Sequence, residues 1–192
     1  MLVDIFDIDD IESIIRKHWA ENGVIDLKKF NIPHYAIPSD YEVKELHLPA
    51  IDYDAEIKSD IKRILKTAED NGFNREKLFT PIFEACRNAH QHGNQHNPYK
   101  KVIIGYKIVP GSLDIAIIDE GGKLDPEFAS FVMRHRQGLH RTKYVNFYTF
   151  SNKSPAGDHQ GAGTTLIHSY VDAVKYYKSK DNGLVVNLIK RK

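Results

Sequence analysis

Apolar residues along the chain switch between helical and alternating spacing in blocks. Ile11, Ile14, Ile15 and Trp19 predict an opening helix over 9–21, capped by Asp9 or Asp10 and stopped by Asn22-Gly23. Pro33 and Pro38 break the chain, and Val43 to Leu48 then reads as a strand with Leu46 and Leu48 on one face. Ile57, Ile61, Ile64 and Leu65 mark an amphipathic helix from Asp54 to Asn71, ended by Gly72. A second helix is expected from Asn74 to about His92, burying Leu78, Ile82, Ala85 and Ala89.

After Asn94 the period changes. Val102 to Val109 and Leu113 to Ile118 are β-rich runs joined across Pro110-Gly111, which signals a hairpin. A short helix is expected near Pro126 to Arg134, followed by a polar, basic and aromatic stretch to about Gln160 that is long enough to be a lid. Gly163 opens a helix through about Val171, and strands near 173–178 and 184–190 close over Asp181-Asn182-Gly183. The order predicts an α+β fold, a two-layer sandwich with helices on one face of a mixed, mostly antiparallel sheet. We divide the chain into an acidic helical extension, 1–42, and a domain, 43–192.

Composition narrows the class. The 192 residues are 41% hydrophobic and 28% charged, as a soluble globular chain should be. A single cysteine, Cys86, forms no intrachain disulfide, and no stretch looks like a leader or a membrane span, so a cytoplasmic protein with no membrane partner is expected. Charge is graded: residues 1–50 carry 5 basic and 10 acidic groups, 51–100 carry 8 and 8, and 101–192 carry 14 and 8. Arg134, Arg136, Arg141, Lys143 and Lys153 fall in the lid with no acidic residue between them, which suits a phosphate. The rest of the chain is not basic enough to suggest direct nucleic-acid binding.

Three clusters carry candidate chemistry. Glu84, Asn88 and His92 recur every four residues and line one helix face, where a carboxylate and an amide could serve as base and magnesium ligand. Asp119 ends an apolar strand and enters the turn Glu120-Gly121-Gly122; an ionised carboxylate accepts hydrogen bonds and so selects an exocyclic amine such as that of adenine. Gly161-Ala162-Gly163-Thr164-Thr165 leads into a helix, whose free N–H groups favour phosphate. Taken singly, each has an ordinary alternative: a solvated polar stripe, a turn-stabilising aspartate, boundary glycines. His90, His92 and His96 offer a further alternative, a metal-dependent hydrolase.

Their order and spacing together resemble the ATP-binding domain of the histidine-kinase-like (Bergerat, or GHKL) ATPases, and within it the anti-sigma-factor serine/threonine kinases. The resemblance spans roughly residues 45–192: Leu46-His47-Leu48-Pro49-Ala50 as opening strand, Glu84 to His92 as N box, Asp119-Glu120-Gly121 with Asp125-Pro126 as first glycine box, and Gly161-Ala162-Gly163 with Asp172 to Tyr176 as second. It implies ATP and Mg2+ as cofactors. Glu84 would be the general base and Asn88 the magnesium ligand. Asp119 would read adenine with Gly121 close to the base, and Gly161, Ala162, Gly163 and Thr164 would line the phosphates. A sigma factor or an anti-sigma-factor antagonist would be the partner, and a homodimer fits the same family. Two positions depart from its pattern: Lys123 stands where the second glycine of the first box is usual, and Thr164-Thr165 replace an apolar pair. Lys123 keeps open a nucleotide-binding interaction module without catalysis.

Overall fold

A computed structural model describes residues 25–26, 34–121, 123–124 and 163–192, with 25–26 and 123–124 described for their backbone. The expected helices at 9–21 and 126–134, most of the lid with Arg141 and Lys153, and Gly161 and Ala162 lie outside these residues. In chain order the elements are β1 (Ile25–Asp26), β2 (His34–Tyr35), β3 (Glu42–His47), α1 (Tyr53–Asp70), α2 (Arg75–Asn88), a π-helical turn (Ala89–Gly93), β4 (Lys101–Val109), β5 (Ser112–Ile118), β6 (Lys123–Leu124), α3 (Gly163–Tyr170), β7 (Ala173–Ser179) and β8 (Leu184–Arg191).

Six strands form one sheet in the order β2-β7-β8-β5-β4-β3, and β1 pairs separately with β6. The β2–β7 pair is parallel and the rest are antiparallel, giving the mixed, mostly antiparallel sheet that the sequence predicts. Gly111, at φ +83°, gives the β4–β5 hairpin its left-handed position after Pro110, the pattern of a type II turn.

Local chemistry fixes the helix ends. The Asn74 side chain accepts the N–H of Lys77 and caps α2. Helix α1 stops in a Schellman motif: Gly72, at φ +78°, donates to Glu69 O, Phe73 donates to Ala68 O, and Phe73 is itself buried. The stripe Tyr53, Ile57, Ile61, Ile64, Leu65 and Ala68 faces the core, with Leu78, Ile82, Ala85 and Cys86 of α2 beside it.

Alternation along the paired strands separates the two faces of the sheet. Val102, Ile104, Tyr106, Leu113, Ile115, Leu188, Val174 and Tyr176 share one face by register, and all are buried. Helix α1 is fastened over this face by Lys44–Asp60 at 2.9 Å, and α3 by His168–Tyr176 at 2.9 Å. The other face carries Gly105, Asp114, Ala116, Asn187 and Tyr177, and residues 35–41 meet it. Tyr35 stacks on Tyr177 with ring centroids 5.5 Å apart. Ile37 lies where Gly105 has no side chain; a Cβ there would stand 2.9 Å from Ile37 Cγ2. Lys107 binds Asp40, and Tyr41 leans on Asp114, so that burial and this carboxylate push its phenol up to about 12. Tyr35, in the edge strand β2, and Ile37, which packs on the sheet, both belong to the core although they precede residue 43.

Candidate functional site

The site starts on α2. Glu84 and Asn88 lie one turn apart near its end, and regular helix stops at Asn88. The sequence predicts helix to about His92; the chain instead widens into a π turn over Ala89–Gly93, with Asn94 N–H donating to Ala89 O across five residues. Such a turn accommodates an extra residue without breaking the backbone ladder, and is common beside functional groups. Gly93 and Asn94 finish buried, whereas His92 faces solvent.

Asp119 follows β5 and is 2% exposed. Its Oδ1 accepts the N–H groups of Gly121 at 2.9 Å and Leu184 at 3.1 Å. Three glycines press around it. A Cβ on Gly93 would collide with the Asp119 carboxylate, one on Gly183 with the Asp119 carbonyl oxygen, and one on Gly121 with the Gly93 carbonyl oxygen. Side chains at these positions would push the turn apart. Gly93 and Gly183 are visible in the sequence only as turn glycines; their contact with Asp119 is long-range.

Gly163 opens α3 against α2. A Cβ on it would stand 2.6 Å from Glu84 Oε2 and 3.6 Å from Asn88 Nδ2. One end of α2 thus meets the first residue of the glycine-led helix, and the π turn that continues α2 meets Asp119. The structure brings together Glu84, Asn88 and Gly163 on one side, and Asp119, Gly121 and Gly93 on the other, with Ala89–Gln91 between. Thr164 is buried in the first turn of α3.

Burial, and secondarily the Asp54 carboxylate, raise the Glu84 pKa above the usual range, while the Arg87 guanidinium opposes this. Arg87 lies 4.0 Å from Glu84 and 3.7 Å from Asp54. A base in such surroundings holds its proton to higher pH than a solvated glutamate does. Asn88 offers an amide oxygen, the hard donor magnesium accepts, and Gly163 stands beside it and Glu84 without a side chain. The donor set fits one protein ligand with the remaining positions filled by phosphate and water.

Asn94 is a functional neighbour that helical spacing does not reveal. Its Nδ2 donates to Lys101 O at 2.9 Å and its Oδ1 accepts Glu120 N–H at 2.8 Å, joining the π turn to β4 and to the turn after Asp119. The histidine alternative meets a different arrangement. His90 is fully buried, donates from Nε2 to Pro49 O at 2.9 Å and packs edge-on to Tyr53 and His96; burial lowers its pKa. Among the described residues no three His, Cys, Asp or Glu side chains come together as a metal site. His90, His92 and His96 do not supply the three ligands that reading needs.

The family model described as Histidine kinase-like ATPase domain matches residues 65–190, a span holding every residue named above from Glu84 to Gly183. No curated protein matches the chain.

Proposed function

Because the chain belongs to the histidine kinase-like ATPase domain family, we propose that it binds ATP with magnesium and transfers the γ-phosphoryl group to a serine or threonine of a partner protein, as a kinase of anti-sigma-factor type. The observation that carries the reading is the placement of α2. Its last turn touches the start of α3 through Gly163, and the π turn that follows touches Asp119 through Gly93. A nucleotide lying along that path puts its purine at Asp119 and its phosphates at Asn88 and the N–H groups of Gly163 and Thr164, with Gly161 and Ala162 immediately before them in the chain.

In this mechanism Asp119 accepts the exocyclic amine of adenine while Gly121 lets the base come close to the backbone. The Glu84 carboxylate takes the proton from the attacking hydroxyl as its oxygen bonds to the γ-phosphorus, and ADP leaves with the electrons of the broken P–O bond. Asn88 would hold magnesium, which would supply charge to offset the triphosphate. The N–H groups at the start of α3 hold the transferred group in line, and Arg141 and Lys153 are the candidates in the sequence for a lid cation that joins them. The partner is a sigma factor or an anti-sigma-factor antagonist, and the protein acts in the cytoplasm, on its own or as a homodimer. No described helix is long and apolar enough to cross a membrane.

One observation favours a second reading, a nucleotide-binding module without turnover. Lys123 occupies the usual place of a glycine, and its backbone pairs with Asp26 in β1. Calorimetric titration with ATP and magnesium tests the binding site. Asp119→Asn should weaken nucleotide binding, and Asn88→Ala should remove the magnesium-dependent part; unchanged affinity in both refutes the assignment. Labelled γ-phosphate appearing on a partner separates the kinase from the silent module.

A further inference from the structure

Both N–H groups that hold Asp119 Oδ1 belong to turns, and each turn is fastened to an earlier strand, one to β1 and the other to β2. Gly121 is followed by β6, Lys123–Leu124, which pairs antiparallel with β1, Asp26 against Lys123 and Ile25 against Leu124. Leu184 belongs to the second turn. There Ser179 N–H donates to Gly183 O at 2.8 Å, Gly183 N–H donates to Ser179 Oγ at 2.9 Å, and Gly183 lies against the Asp119 carbonyl oxygen. Ser179 is in turn held by β2: His34 Nδ1–H donates to Ser179 O at 3.0 Å, and Tyr35 pairs with Ser179. The N–H of Asp119 itself bonds Leu184 O at 3.0 Å, so the two turns and the aspartate form one connected unit.

We propose that β1 and His34 are positioning elements for the purine-recognition carboxylate. The inference rests on the reading in which Asp119 meets adenine. An acceptor oxygen held by two N–H donors fixes the plane of its carboxylate, and with it the direction from which an amine can be received. Each donor keeps its place only while its turn does. One turn is braced by β1, the other by His34 on Ser179. Loosening either brace leaves the purine's amine with a wandering acceptor and leaves the phosphates' contacts, on α2 and α3, as they were. These two braces thus set base selectivity, and loosening either lowers affinity for adenine nucleotides in particular.

The test uses the full chain in three variants: His34→Ala, His34→Asn, and the pair Ile25→Pro with Asp26→Pro, which removes β1 N–H donors at an edge. Affinity is measured for ATP and for inosine triphosphate, which lacks the exocyclic amine. His34→Ala and the proline pair should each weaken ATP about fivefold, the worth of one hydrogen bond, and leave inosine triphosphate unchanged. His34→Asn keeps an N–H donor near the position of Nδ1 and should restore ATP. Unchanged ATP affinity, or equal losses for both nucleotides, overturns the proposal. Should the unaltered chain fail to prefer ATP, the adenine reading of Asp119 falls, and amide exchange judges the brace by itself. Faster exchange at Gly121 and Leu184 in the variants upholds the positioning role; exchange equal to that of the unaltered chain refutes it.

Discussion

Gly121 and Gly93 lie back to back: a methyl group on Gly121 would fall on the Gly93 carbonyl oxygen. The contact joins the turn after β5 to the π turn after α2, across 28 positions of chain. Gly121→Ala must therefore separate the two, at about 1–3 kcal/mol of overpacking. Gly111→Ala is the natural comparison, since φ +83° strains an alanine there while nothing stands within 4 Å of its Cβ. It should cost about 1 kcal/mol. Urea unfolding of the two variants should show the larger loss for Gly121→Ala, together with loss of nucleotide binding that Gly111→Ala does not share.

Asn94 makes a two-sided link, donating to Lys101 O and accepting from Glu120 N–H, and is 1% exposed. Asn94→Ala leaves a carbonyl and an N–H without these partners. A stability loss of about 2–4 kcal/mol is expected. Chemical denaturation measures it, and a value near zero would mean that water takes over both bonds.

Glu84 predicts a pH signature. Its folded pKa is raised above the ordinary glutamate value of 4.5, chiefly by burial, so the folded state binds its proton more tightly than the unfolded state does. The stability it contributes is complete below the ordinary glutamate pKa and is lost as pH rises through the raised value. Glu84→Gln stays neutral throughout. At pH 7 this variant should melt above the unaltered protein while losing phosphoryl transfer, and the gap in Tm should close as pH falls below about 4.5.

Gly163→Ala brings a methyl group to 2.6 Å from Glu84 Oε2. Since the neighbour is the end of a side chain, the fold should tolerate it by turning the carboxylate aside. The expected result is turnover reduced about tenfold or more with ATP affinity changed far less. Single-turnover kinetics beside calorimetry separate the two effects, and equal losses in both would show that Gly163 serves binding alone.

How much of this could be read from the chain follows from the range of each interaction. Helix α1, the hairpin over Pro110-Gly111 and the start of α2 after Asn74 were legible, because their signals are periodicity and turn chemistry within a few residues. Asp119 at a strand end beside a glycine was visible for the same reason, though its place against Gly93 was not. Strand β2 has two residues and no period to detect, and it pairs in parallel with residues 144 positions away. The change from α to π at Ala89 leaves the spacing of Glu84 and Asn88 intact, so helical periodicity runs past it unaware.

Strand β8 lies between β5 and β7, although it follows both in the chain. Until residues 184–191 pair, β5 and β7 each keep an uncovered row of peptide groups, and the apolar face beneath them has no complete floor. The sheet closes by insertion, as a late long-range event. A chain cut short or mispaired in these eight residues would carry two open edges in one sheet, which favours association between copies.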